Sequence, residues 1–246
     1  MDATATWALF DEIAVAVRDR VLHSDRGAPG ERPGQYGLDV AADAVMVDML
    51  LAAGFGVLSE ESGRQGHDRV VCVVADPVDG STNASRGLPC WAISLCAVDA
   101  EGPWVATVVD QSRGVTYRAE RGRGATRTDA GGTVSIAVAA PTSLADAIVA
   151  VNGRSSAWPE ARQYRALGSA AIELCLVADG SLDGYANLDG DAHGSWDYLG
   201  AALVLTEAGG VIADRQGREL ASLEHAERRS IVAASDRALL TAMMNA

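Results

Sequence analysis

The chain has 246 residues, 48% apolar and 22% charged, the balance of a folded globular protein rather than a disordered one. Acidic residues outnumber basic ones 33 to 20, for a formal net charge of −13, so nucleic acid and anionic membrane are poor partners and a cation is a better one. All 20 basic residues are arginine, which excludes Schiff-base, pyridoxal, P-loop and protein-kinase chemistry, because each needs a lysine amine.

Trp7, Phe10, Ala14, Val17 and Val21 recur at helical spacing and predict a helix over 7–21. The Gly-, Pro-, Arg- and Asp-rich stretch 24–36 reads as a loop. A second helix starts near Leu38, with Ala42, Val45, Met49 and Leu50 on one face and Gly54 ending it. A short strand near Val57 precedes Glu60 and Glu61. The continuous apolar run 70–75 has the character of a strand buried on both faces, and it stops at Asp76. Further strands are expected over 92–98, 104–109, 115–118 and 133–138. Arg121-Gly122-Arg123-Gly124 reads as a solvated hairpin turn.

Pro141 opens a second half, which divides the chain into parts 1–140 and 141–246. Ser169 reads as the N-cap of a helix over 170–178 that Gly180 ends. A strand near 183–186 leads to an acidic loop, a helix over 196–208 ends at Gly209-Gly210, and a strand over 230–233 precedes a helix capped by Ser235 or Asp236. Strands and helices segregate in blocks, as in layered sheets and helices. The histidines (23, 67, 193, 225) are scattered and no Cys-x-x-Cys occurs, which argues against a zinc site. Three of the cysteines (72, 90, 96, 175) sit in apolar runs as buried thiols. With no basic leader and no apolar run of about 18 residues, a reducing cytoplasm is the expected location.

The informative segment is Asp76-Pro77-Val78-Asp79-Gly80-Ser81-Thr82-Asn83. Two carboxylates sit three residues apart at a strand end, Pro77 stiffens the turn between them, and Gly80 permits close backbone approach. Ser81, Thr82 and Asn83 then offer hydroxyl and N–H groups, as at a helix start that receives phosphate. Acid followed at once by an anion cradle requires a cation between them.

Ser59-Glu60-Glu61-Ser62, Gly168-Ser169-Ala170-Ala171 and Trp196-Asp197 with Glu207-Ala208-Gly209-Gly210 occur in order around that segment. Together these motifs resemble the inositol monophosphatase family of metal-dependent sugar phosphatases, whose pattern D-P-[IV]-D-G-[ST]-x-N the segment fits, and the likeness runs from about Leu38 to the C-terminus. The resemblance implies a five-layered α/β/α/β/α sandwich and a homodimer. It also implies two or three Mg²⁺ ions per site, with Mn²⁺ as the substitute. Glu60, Asp76, the Val78 carbonyl, Asp79 and Asp197 would be the metal ligands. Asp43 and the Ser81 hydroxyl, with Glu60, would orient a metal-activated water for direct attack. Asp79, Gly80, Ser81, Ser169 and Ala170 would meet the substrate.

Physical chemistry is consistent with this. Asp43, Glu60, Asp76, Asp79 and Asp197 brought together repel, about 4 kcal/mol per pair at 4 Å and an effective dielectric of 20, so the cluster needs neutralising. All-oxygen ligation favours Mg²⁺ or Mn²⁺ over zinc.

The chain departs from the family pattern in two places. The loop before Asp43 lacks the lysine that many relatives carry, leaving Arg26 or Arg32 as replacements, and the connection from Asp43 to Glu60 is short. Before Trp196, where inositol phosphatases carry a Glu, an inserted acidic loop offers Asn187, Asp189 or Asp191 to a polyol hydroxyl. Low positive charge near that loop argues against substrates with a second phosphate. Arg165 either faces the substrate or pairs at the surface, and Glu207 belongs to helix packing. The expected activity is hydrolysis of a small phosphorylated metabolite, foremost inositol 1-phosphate. Histidinol phosphate, fructose 1,6-bisphosphate and 3′-phosphoadenosine 5′-phosphate are the alternatives within the family. A non-catalytic metal-binding regulator is the alternative outside it.

Overall fold

The computed structural model describes residues 2–30, 32, 35–154 and 160–246. Asp2 caps helix α1 (Ala3–His23) by accepting the Ala5 N–H at 2.8 Å, and the helix buries Phe10, Ile13, Val17 and Val21 along one face. Helix α2 (Gly37–Ala52) packs beside it and buries Leu38, Ala42, Met46 and Leu50. The loop expected over 24–36 includes residues 31, 33 and 34, which lie outside the described residues; Pro29 and Tyr36 pair within it.

Eight strands follow: β1 (Gly56–Ser59), β2 (Gly63–Gln65), β3 (Cys72–Asp79), β4 (Ala92–Asp99), β5 (Gly102–Asp110), β6 (Val115–Glu120), β7 (Gly124–Asp129) and β8 (Gly132–Ser135). They form one sheet in the order β2-β1-β3-β4-β5-β6-β7-β8. Strands β1 and β3 run parallel and the other neighbours antiparallel. Helix α3 (Ser81–Arg86) continues directly from β3.

The second sheet has the order β10-β9-β11-β13-β12, built from β9 (Ile148–Asn152), β10 (Gln163–Arg165), β11 (Gly184–Asn187), β12 (Val211–Asp214) and β13 (Ile231–Ala234). Helices α4 (Ala170–Ala178) and α5 (Ser195–Glu207) fill the space between the sheets. Asp236, one of the two expected caps, starts α6 (Arg237–Asn245), which covers the outer face of the second sheet. The layers are therefore α1/α2, sheet, α4/α5, sheet and α6, the five-layered sandwich expected.

Strand β3 is apolar on both faces because both are covered. Val73 and Ala75 pack toward α1 and α2, while Cys72 and Val74 pack toward α4 and α5. Helix α5 lies almost on the sheet: a Cβ at Gly200 would come within 2.8 Å of Ser94 Oγ, so glycine sets the approach.

The structure corrects several expectations. The run expected to stop at Asp76 continues as strand to Asp79, and the one expected over 133–138 is shorter, as β8. Strands β2, β7, β9, β10 and β12 were not anticipated. Glu207, read as a helix-packing residue, packs α5 in a specific way: its carboxylate accepts the Gly122 and Gly124 N–H groups at 2.7 and 2.8 Å, pinning the β6–β7 hairpin turn to the end of α5.

Candidate active site

A strand alternates its side chains, so residues three apart should point to opposite faces. Asp76 and Asp79 escape this because the β3–β4 register shifts between them: Asp76 pairs with Ser94 and Asp79 with Ala92, three residues against two. The extra residue is a bulge, and it returns Asp79 to the α4/α5 side that Asp76 faces. Gly80 follows at φ 94°, and a Cβ there would lie 2.8 Å from the Cys90 carbonyl oxygen and 3.1 Å from that of Gly168. Only glycine fits, and it turns the chain into α3.

Parallel pairing of β1 with β3 sets Glu60, just past the end of β1, beside Asp76. Asp197 arrives from the first turn of α5, where its Oδ2 accepts the Gly194 N–H at 2.7 Å. Ligand oxygens of Glu60, Asp76 and Asp197 all lie within 4.8 Å of one another. Of the four expected carboxylate ligands these three converge. The fourth, Asp79, is adjacent and committed through Oδ2 to the start of α4, accepting from Ser169 Oγ at 2.6 Å and the Ala171 N–H at 2.7 Å. The Val78 carbonyl accepts the Ser81 hydroxyl at 2.8 Å.

The electrostatics of this centre are those of an acidic cluster awaiting a cation. Burial, then the charges of Asp197, Glu61, Asp39 and Asp79, push the Glu60 carboxyl up to about 9. Burial, then Glu60, Asp79 and Asp197, holds Asp76 well above the carboxylate range. Burial and then Asp197 raise Asp79 to about 6, with the Ser169 hydroxyl and the Ala171 N–H pulling it back. The protein alone cannot ionise all of these acids at neutral pH. Hard oxygen donors in this arrangement suit a small divalent cation, so the residues present fit the metal that the resemblance implies.

The expected pairing of Asp43 with Ser81 is corrected. Asp43 is buried, and the Ser59 hydroxyl donates to its carboxylate. The acid beside Ser81 is Asp39, one helical turn earlier on α2. Its Oδ2 accepts the Tyr36 N–H at 3.3 Å, its Oδ1 has no partner among the described residues, and burial, opposed by the Ser81 hydroxyl, raises it to about 7. Spacing could not separate the two, because residues i and i+4 share a helix face.

A cavity of about 470 Å³ reaches this centre at Glu60, and Asp39, Gly80, Ser81 and Gly168 line it with that residue. Its walls carry Arg32, Gln35, Tyr36, Glu61, Thr82, His225 and Arg228. Arg32 pairs with Glu61 at 2.6 Å, whereas Arg26, the other lysine replacement considered, lies against Gly87. Two arginines, Arg32 and Arg228, thus line the cavity. Sequence reasoning missed Asp39, His225 and Arg228; the last two lie on a loop with no motif of its own.

The structure does not bring the acidic loop into that lining. Asn187 closes the loop on itself, donating to the Gly190 carbonyl at 2.8 Å and accepting the Asp189 N–H at 3.1 Å. Asp189 is exposed, and Asp191 is held outward by Arg218 at 2.7 Å. Ser169 and Ala170 are buried, the Ser169 hydroxyl spent on Asp79, while Gly168 reaches the cavity. Arg165 is exposed and bonds Gln163 and the Tyr164 carbonyl.

Fold and acidic centre together define a phosphatase-type hydrolase. The chain belongs to the inositol monophosphatase family, whose model matches residues 4–246. An Escherichia coli (strain K12) protein named Nus factor SuhB is 32% identical over 194 residues, 73% of this chain and 71% of its own. A Thermococcus kodakarensis protein named fructose-1,6-bisphosphatase/inositol-1-monophosphatase is 30% identical over 210 residues, 85% of this chain and 81% of its own. The solved structure of a hypothetical Pyrococcus horikoshii protein, described as having similarities to inositol-1 monophosphatase, shares the fold with a TM-score of 0.87. It covers 99% of this chain and 98% of its own at 21% identity. Among the described residues no helix is long and apolar enough to cross a membrane.

Proposed function

We propose that the chain hydrolyses the phosphate ester of a small sugar or polyol, using Mg²⁺ held by Glu60, Asp76, Asp79, Asp197 and the Val78 carbonyl. The observation that carries this reading is the convergence of Glu60, Asp76 and Asp197 oxygens within 4.8 Å, with Glu60 also lining a cavity beside Gly80 and Ser81. Metal ions bound there supply charge neutralisation at the phosphate and lower the pKa of water. On this reading the part of the chain up to about residue 140 supplies most of the acidic centre, and the part beyond it completes the site with Asp197 and Gly168.

The residues divide the remaining work. Backbone N–H groups at the start of α3, beside Gly80 and Ser81, hold phosphate oxygens. The Ser81 hydroxyl oxygen accepts a hydrogen bond from the attacking water, and the Asp39 carboxylate takes up the proton that the water loses. Water then forms one P–O bond as the ester P–O bond breaks, and the leaving alkoxide gains a proton, so the products are an alcohol and inorganic phosphate. Ser81 Oγ donates to the Val78 carbonyl rather than to a base, which favours attack by water over attack by the serine. The test is phosphate release with Mg²⁺ from inositol 1-phosphate, fructose 1,6-bisphosphate, histidinol phosphate and 3′-phosphoadenosine 5′-phosphate. Turnover of at least one is expected, and release from none contradicts the proposal.

A further inference from the structure

Two arginines line the cavity beside its carboxylates. Of the two, Arg32 is spent on Glu61 at 2.6 Å. Arg228 is different. Among the described residues no carboxylate lies within salt-bridge distance of it, although the chain carries 33 acidic residues.

Arg228 is also held in place. Its guanidinium lies 4.7 Å from the centre of the Trp196 ring, a cation–π contact, and one terminal nitrogen donates to the His225 and Glu227 carbonyls at 2.6 and 3.0 Å. His225 stacks on the same indole at 4.9 Å and bonds through Nε2 to the Glu60 carbonyl at 2.9 Å. The loop bearing Arg228 is thus fixed at one end to the backbone of Glu60 and at the other to the residue preceding Asp197. The arginine keeps a set position relative to the carboxylates, and less entropy is lost when it meets a ligand.

We infer that Arg228 is a specificity-determining residue that receives a second anionic group of the substrate, a phosphate or a carboxylate, while the ester phosphate lies at the acidic centre. An arginine fork without a carboxylate partner, half-buried against an indole, is suited to grip a phosphate or carboxylate. A neutral polyol gives it nothing to neutralise. This inference rests on the phosphatase reading and narrows its substrate class to esters carrying a further negative group.

The test uses substrate pairs that differ in that group alone. One pair is fructose 1,6-bisphosphate and fructose 1-phosphate; the other is 2-phosphoglycerate and glycerol 2-phosphate. kcat/KM is measured for all four with wild type, Arg228→Gln and Arg228→Lys at saturating Mg²⁺. Wild type is expected to favour the doubly anionic member of at least one pair by about tenfold or more, and the pair showing it tells phosphate from carboxylate. Arg228→Gln is expected to cut that preference at least about tenfold, mainly through KM, and Arg228→Lys to restore part of it. Each preference is a ratio within one preparation, so a smaller folded fraction cancels. Equal kcat/KM within each pair for wild type, or a preference that survives Arg228→Gln within twofold, overturns the inference while leaving the phosphatase reading intact. Wild type that releases phosphate from none of these esters, nor from inositol 1-phosphate, overturns both.

Discussion

Asp39 and Asp43 show how far residue identity and spacing can carry a site. Both lie on α2, both are nearly inaccessible, and one turn separates them. Only the arrival of Ser81 from a different element distinguishes them, and that arrival is a long-range fact absent from local pattern. Asp39→Asn is expected to lower kcat by about 10² or more, the usual scale for losing a positioned proton acceptor, with little change in KM. Asp43→Asn keeps an acceptor for the Ser59 hydroxyl and is expected to retain most turnover. Steady-state kinetics of the two variants decides this, and the reverse ranking would return the role to Asp43.

Glu173 makes a second residue-scale case. It is fully buried on α4, its Oε1 accepts the Leu167 N–H at 2.6 Å, and its Oε2 has no partner among the described residues. Burial pushes its carboxyl up to about 8. The folded state therefore keeps a proton that the unfolded chain has lost, and stability falls as pH rises from about 4.5 toward 8. Glutamine can still accept from Leu167 but cannot ionise. Urea midpoints are expected to show Glu173→Gln gaining on wild type between pH 5 and pH 8.5; a gap that does not change with pH contradicts this.

At the scale of elements, legibility followed the strength of the hydrophobic pattern. β3, β4, β5 and α5 are long and apolar, and their sequences announce them. Strand β9 is a short Ala- and Val-containing run that helix and strand explain equally well. β7, with Thr and Arg at successive positions, has no strongly apolar face, and β2 and β10 are three residues long. The β3 bulge could not be read either: the sequence gives the three-residue spacing of Asp76 and Asp79, but only the pairing with β4 puts both on one side. Asn83 ties the elements around this bulge together, its Nδ2 donating to the Cys90 and Leu167 carbonyls, both at 2.8 Å. Asn83→Ala leaves those carbonyls unpaired and is expected to cost about 1–3 kcal/mol in urea unfolding. A loss under about 0.5 kcal/mol would contradict that role.

For the whole molecule, the acidic centre joins stability to function. Its motifs were readable because DPVDGSTN is contiguous and its companions come in order; of the cavity walls only Arg32 was, since residues 225 and 228 reach the cavity only through folding. The metal-free chain carries carboxyls raised to about 9 at Glu60, about 7 at Asp39 and about 6 at Asp79. Each raised carboxyl binds protons in the folded state that the unfolded state has released, so stability drains away as pH rises from about 4 to about 9. A divalent cation offsets that repulsion, most of all at the alkaline end. Thermal unfolding in chelator is expected to show Tm falling over this range, and added Mg²⁺ to raise Tm more at pH 8.5 than at pH 5.

The claim that Glu60, Asp76 and Asp197 form a metal-dependent hydrolytic centre is tested most directly by phosphate release against Mg²⁺ concentration, for wild type and Asp76→Asn. The ester is the one that wild type turns over fastest. The account predicts wild-type turnover that saturates with Mg²⁺ and disappears in chelator, and Asp76→Asn turnover near background at every Mg²⁺ concentration. Full wild-type turnover after verified metal removal, or wild-type rates from Asp76→Asn, would contradict it.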